Sequence, residues 1–238
     1  MTKMPGRFMP TVALLGCVTG ACLCFAQGGQ LTGNVVLEPS TNSSTTSTVV
    51  WLAPTEAGAP PVAPMHAVLA QKNKAFEPHL LVITKGSSVD FPNRDPWFHN
   101  VFSLFDGKRF DLGLYEAGTS RTVRFDREGV SFIFCNIHPE MSAVVVVVGS
   151  PYFTTTNKQG TFTLSDVPPG RYMLHVWNES ALPATLQSLT REVQVGESPK
   201  SVGAIRLQVT RSASLPHKNK YGQDYEPSSP NNPVYVQP

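Results

Sequence analysis

Charge, cysteine and helical periodicity are all scarce in this 238-residue chain, and each scarcity narrows what it can be. Only 15% of residues are charged while 41% are hydrophobic, a balance that excludes disordered and coiled-coil chains. From residue 65 to 149 no window of a dozen residues keeps apolar residues at helical spacing. Catalytic signatures are also missing. No phosphate loop, acid–base pair or nucleophile beside a base stands out, so no catalytic residue is assigned and the chain is read as a non-enzyme. Of the four cysteines, Cys17, Cys22 and Cys24 stand near the start and only Cys135 lies in the body of the chain.

Residues 1–26 read as a signal peptide, with Lys3 and Arg7 in a basic start, an apolar run from Val12 to Phe25, and a small exit at Ala26. A membrane anchor fits less well, because Gly and Thr interrupt a run shorter than the ~20 residues a bilayer needs. Cleavage after Ala26 is preferred to a lipoprotein-type cut before Cys17, which follows Leu14-Leu15-Gly16 and would leave a lipid anchor. The expected location is therefore periplasmic or extracellular, with no transmembrane segment in the mature chain. Cleavage removes two basic residues and no acid, so the formal charge falls from +2 to zero. A neutral chain gives no electrostatic reason to bind nucleic acid. It also keeps one thiol, Cys135, which cannot form an internal disulfide and must be buried, reactive or bound to something.

What is present is β pattern and turn residues, including 21 Pro and 18 Gly. Residues 27–57 read as strand, polar loop, strand (LTGNVVLE, then TVVWLAP), and 58–64 as a Pro-rich linker. From 65 to 149 short apolar runs alternate with turns, the signature of an antiparallel sandwich or barrel. In that stretch Ala143 to Val148 has no polar interruption, which predicts a strand covered on both faces. Residues 150–210 give a second set of hairpins around Lys158-Gln159-Gly160 and Pro168-Pro169-Gly170. Residues 211–238 are too poor in aliphatics to order themselves and read as a disordered tail. The expected fold is all-β, two sandwiches and a tail.

The stretch FCNIHPEM places Cys135, His138 and Met141 at every third residue, and WFHNVF supplies His99 from an upstream strand. Two imidazoles, a thiolate and a thioether are the donors of a mononuclear copper electron-transfer site. Thiolate suits Cu(I) and imidazole suits Cu(II), so the mixed set holds either state with little rearrangement, and a weak axial Met tunes the potential. Closed structural zinc sites use four Cys or His ligands and rarely a thioether. A short loop between adjacent antiparallel strands aims three side chains at one point, with His138 expected nearest the surface as the exit for the electron. Asn100 is expected to tie the ligand loops together, and backbone N–H groups near the sulfur to help set its potential.

The segments AFEPHLLVITKGSSVDFPNRDPWFHNVFS and GVSFIFCNIHPEMSAVVVVV resemble the cupredoxins, the small blue copper proteins that include plastocyanin and amicyanin. The resemblance rests on Gly86 before a strand, Phe91-Pro92-Asn93, His99-Asn100, and Cys-x-x-His ahead of a Met at the amicyanin interval. It implies a Greek-key β-sandwich, one type 1 copper held by His99, Cys135, His138 and Met141, and one-electron exchange with a redox protein partner. The surrounding pattern is closer to plastocyanin-like modules of large exported bacterial proteins than to a stand-alone carrier. TTTNKQGTFTLSDVPPGRYMLHVWNES resembles carboxypeptidase regulatory-like domains, transthyretin-like sandwiches that serve packing or interaction and here would make envelope protein contacts. Their first strands commonly read like LTGNVVLE and STVVWLAP, which implies that the copper module is inserted between the second and third strands of that sandwich.

Two other readings stay open. Cys-Asn-Ile-His also occurs at the iron site of superoxide reductases, where His66, His79, His99 and His138 would join Cys135; Pro139 stands where that family has Gly, and Met141 has no role there. Alternatively this is a structural or interaction protein in which the second sandwich is the working part and the copper module is vestigial or stores copper without carrying electrons. No His-x-His pair occurs, which disfavours a multicopper oxidase. Taken singly, Cys135 and Met141 are ordinary core residues, His66, His79 and His217 are solvated, His175 faces solvent or a polar neighbour, and Trp97 either shields the site or packs.

Overall fold

A computed structural model of the protein describes residues 28–38, 47–56, 61–104, 107–210 and 217–225. The expected signal segment lies outside the described residues. In chain order the strands are β1 (Gly29–Glu38), β2 (Val49–Pro54), β3 (His66–Val68), β4 (Ala70–Lys72), β5 (Ala75–Glu77), β6 (Leu80–Thr84), β7 (Ser87–Pro92), β8 (His99–Ser103), β9 (Phe110–Tyr115), β10 (Ser120–Phe125), β11 (Gly129–Phe134) and β12 (Ser142–Val148). They continue with β13 (Phe153–Thr155), β14 (Thr161–Val167), β15 (Gly170–Trp177), β16 (Arg191–Val195) and β17 (Lys200–Gln208). Among the described residues the protein is all-β apart from one short helix, α1 (Pro183–Leu189), which opens on a proline whose missing N–H costs nothing in the first turn.

Two pairs of sheets and a two-stranded ribbon, β4-β5, account for the described strands. A five-stranded sheet, β6-β12-β11-β8-β9, and a three-stranded sheet, β10-β7-β3, enclose one core that includes Phe91, Phe125, Ile133, Cys135 and Met141. The sheets β14-β1-β17 and β13-β2-β15-β16 enclose a second core that includes Leu31, Leu52, Leu164 and Leu207. β1 and β2 thus pair with strands that follow β12, and the chain between them builds the first sandwich. Alternation carries these assignments: β1 buries every second residue over most of its length, as a strand with one covered face must.

Pairing is mixed rather than purely antiparallel. β3 runs parallel to β7, β6 to β12, and β1 to β17. Turn residues mark chain reversals only, whereas parallel neighbours are joined by connections that cross elsewhere and leave no local signal. Where a tight reversal does occur, between β6 and β7, Gly86 takes the left-handed φ of 88° that the turn needs.

β12 shows what a strand without polar interruption is for. Ala143, Val145 and Val147 face the first core. Val144, Val146 and Val148 face the other way and pack with Val49, Trp51, Phe153 and Trp177 of the second sandwich. Both faces are dry, so alternation disappears from the sequence.

Candidate metal centre

β11 and β12 are an antiparallel pair whose ladder ends at Phe134 opposite Ser142. The loop between them closes through two backbone bonds, from Cys135 N–H to Met141 O at 3.2 Å and from Met141 N–H to His138 O at 3.0 Å. His99 begins β8, opposite Tyr115 of β9. β8 lies beside β11, with Phe102 opposite Phe134. These registers bring the upstream imidazole to the ligand loop.

The convergence is tight. His99 Nδ1 lies 3.1 Å from His138 Nδ1, and Cys135 Sγ lies 3.6 Å from His138 Nδ1 and 3.9 Å from His99 Nδ1. Among the described residues this is the group of three donors close enough to hold one ion, their ligand atoms all within 4.8 Å of one another. Met141 is fully buried in the same core as Cys135 and points to the same side of β12 as Ala143 and Val145. His138, expected nearest the surface, is only 4% exposed.

The electrostatics suit a cation. Burial lowers the pKa of His99, and burial followed by the neighbouring charge of His99 lowers that of His138 to about 4. Both rings therefore favour the neutral form near pH 7, the form in which an imidazole nitrogen can ligate a cation. Burial raises the Cys135 thiol, while backbone N–H groups of Asn100, Ile137 and His138 act in the opposite direction on its sulfur. On balance burial wins and the group is a thiol, while the three amides point their N–H groups where a thiolate's charge would sit.

Asn100 therefore serves the sulfur through its backbone, not its side chain, which instead donates to Asp111 Oδ1 at 2.7 Å. Asn93 shapes the turn ahead of β8. Its side-chain N–H donates to Trp97 O at 2.6 Å, and its Oδ1 accepts from Asp95 N–H at 3.0 Å. Trp97 is half-buried, with Lys74 Nζ 5.0 Å from its ring centroid.

One functional residue escaped the sequence reading. Asp95 is 4% exposed, and its Oδ2 lies 2.9 Å from His99 Nε2, so the ring N–H donates to a carboxylate while Nδ1 faces the other donors. The N–H groups of Asn73 (2.6 Å) and Lys74 (2.8 Å) hold the same carboxylate. Burial alone would raise its pKa, but those amides and His99 outweigh it and the net shift is downward. An ionised carboxylate behind a ligating imidazole fixes the ring and raises its basicity.

The other histidines lie elsewhere. His66 pairs with Asp90 at 2.8 Å, and His79 pairs with Glu179 at 2.7 Å and reaches Ser142 O at 3.0 Å. Neither joins the cluster, as four-His iron ligation would require. His175 stacks on Trp51 with centroids 4.9 Å apart. His217 is not simply solvated. The expected tail has no helix or strand over its described residues 217–225, yet these lie against the ligand loop, and His217 stacks on Phe134.

No family model matches the chain, and no curated protein sequence matches it. Solved structures do. A purple cupredoxin from Nitrosopumilus maritimus is similar at 26% identity over 34% of this chain and 99% of its own, with a TM-score of 0.32. A copper-containing nitrite reductase from Thermus scotoductus SA-01 is similar at 21% identity over 48% of this chain but only 28% of its own, with a TM-score of 0.34. A reduced Cu(I) form of an amicyanin mutant is similar at 23% identity over 37% of this chain and 86% of its own, with a TM-score of 0.33. No described helix is long and apolar enough to cross a membrane.

Proposed function

We propose that this chain is an exported copper protein with a single type 1 site that carries one electron to and from a redox protein partner. The observation behind the reading is the buried convergence of His99 Nδ1, His138 Nδ1 and Cys135 Sγ, with a fully buried Met141 at the end of the same loop. The donor set fits copper: two neutral imidazoles, one soft thiol flanked by amides, and a thioether available as a weak axial donor. Copper, when bound, supplies one-electron chemistry through the Cu(II)/Cu(I) couple.

The residues do the rest. His99 and His138 offer their Nδ1 lone pairs, and Asp95 keeps His99 in that tautomer by accepting its Nε2 proton. Cys135 would hold the ion as a thiolate, its proton passing to solvent, and the N–H groups of Asn100, Ile137 and His138 would help stabilise the sulfur's negative charge. The core around Cys135 and Met141 excludes water and resists movement, which keeps reorganisation small when the charge changes. A second reading, copper held without exchange, draws on the 4% exposure of His138, which leaves that ring little edge for a partner to touch.

Adding Cu(II) to the purified protein lacking residues 1–26 tests the first reading. The expected result is intense absorption near the red end of the visible spectrum, abolished in Cys135→Ser. A colourless protein that takes up no copper would sink both readings, and a coloured one that shows no reversible wave in voltammetry would leave only the second.

A further inference from the structure

Residues 217–225, HKNKYGQDY, form a turn of their own. Asn219 Oδ1 accepts from the N–H groups of Tyr221 (2.9 Å) and Gln223 (3.0 Å), Asn219 N–H donates to Gln223 O at 2.9 Å, and Gly222 N–H donates to Asn219 O at 2.9 Å. Gly222 provides the left-handed position, φ 77°. The reversal brings the two ends together, with the His217 and Tyr225 rings 5.2 Å apart and edge-on.

Both ends of the turn reach the ligand loop. The His217 ring stacks on Phe134 at 3.9 Å, and its Nε2 is 2.9 Å from Pro139 O. The Tyr225 hydroxyl donates to Cys135 O at 2.8 Å. Between them, Lys220 N–H donates to Asn136 Oδ1 at 2.9 Å, while Lys220 Nζ pairs at 2.8 Å with Asp111, the carboxylate that also holds the Asn100 side chain. Three acceptors on the loop, Cys135 O, Asn136 Oδ1 and Pro139 O, thus each meet one donor from a segment some eighty residues further along. Within the loop, backbone bonds tie Cys135 and His138 to Met141, and the N–H groups of Ile137 and His138 turn to the Cys135 sulfur. The contacts of 217–225 fall on that loop and on its border.

We propose that residues 217–225 are a strap that holds the ligand loop in the conformation in which Cys135 and His138 converge, so that the site is ordered before its metal arrives. The metal in this statement rests on the copper reading. The hold on the loop is a property of the chain alone and is tested without metal.

The double variant His217→Phe/Tyr225→Phe keeps both rings and removes two donors. In metal-free protein, amide exchange at Cys135 and Met141 is expected to quicken about tenfold, while amides of β15 stay as they are. Unchanged exchange at those two amides would overturn the proposal. Asn136→Ala, which removes the acceptor of Lys220 N–H from the loop side, is expected to act in the same direction, and protection of both amides in both proteins counts against the strap. With copper loaded, the double variant is expected to keep the wild-type absorption, since no ligand has changed, but to lose copper to a chelator about tenfold faster. Loss at the wild-type rate contradicts the ordering role. Wild-type protein that binds no copper sinks the copper reading, while metal-free exchange still decides the strap.

Discussion

Replacing Asp95 by Asn changes one charge and almost no volume at the back of the upstream imidazole. The carboxylate is 4% exposed and 2.9 Å from His99 Nε2. Its charge acts on an ion at Nδ1 across the ring, over roughly 7 Å, which at an effective dielectric of about 20 amounts to about 2 kcal/mol. That energy favours Cu(II) over Cu(I), so its loss is expected to raise the reduction potential, by on the order of 0.1 V at 59 mV per tenfold for one electron. The substitution also has a structural cost. Asp95 accepts from Asn73 N–H as well as from Lys74 N–H and His99, and an amide can accept at only one of its two ends, so about 1–3 kcal/mol of stability goes with the lost acceptor. Protein-film voltammetry at pH 7 measures the potential, and thermal unfolding of the metal-free protein measures the cost. A potential within about 20 mV of wild type, or a lower one, would refute the assignment of Asp95 as a charge that acts through His99.

Two more outcomes follow from the same geometry. Met141→Leu keeps the volume of a fully buried side chain, so it is expected to cost less than about 1.5 kcal/mol and to leave copper bound. The potential is expected to rise as a donor is lost, and an unaltered potential and spectrum would make Met141 core filler only. His79 is held above its usual 6.5, chiefly by its hydrogen bond to Glu179, against the opposing effect of burial. Its contribution is therefore complete below pH 6.5 and disappears as pH rises through the higher folded value. The side chain is 47% exposed, so the effect is under about 1 kcal/mol. The melting difference between wild type and His79→Gln is expected to be largest below pH 6.5 and to shrink as pH rises through the higher folded value; a difference that grows with pH would reverse the reasoning.

The convergence of His99, Cys135 and His138 could be anticipated because it is local chemistry. Cys135 and His138 share a loop short enough that strand direction brings them together, and His99 opens a run that reads as a strand. The valines of β12 announced two covered faces by their lack of alternation. Asp95 was invisible for a physical reason: Asn93-Arg94-Asp95-Pro96 has the composition of a solvent turn, and only the tertiary return of Asn73 and Lys74 buries it. The parallel pairs could not be seen because no single turn joins their strands: other strands and turns intervene, and a local turn does not report which distant strand becomes the neighbour. The segment 217–225 was judged by aliphatic content, whereas its contacts are a ring stack and polar bonds to backbone carbonyls. The Asn219-to-Gly222 turn was the signal available there. His138 looked exposed because the loop is a surface loop; chain position does not report what the walls of a site cover.

A wall shared by two rooms cannot leave with one of them. Val144, Val146 and Val148 of β12, with Leu80, Val82 and Phe132 beside them, are covered by Trp51, Phe153 and Trp177 of the other sandwich. Residues 65–149 are thus not a portable cassette. Excised, or shuffled by recombination into another protein, they would carry a bare aliphatic stripe on the sheet that bears the ligand loop, an invitation to stick to any similar sheet. The valine-rich strand therefore couples the two halves physically: one of its faces completes the core beneath the ligand loop, and the other is kept from water only by the second sandwich.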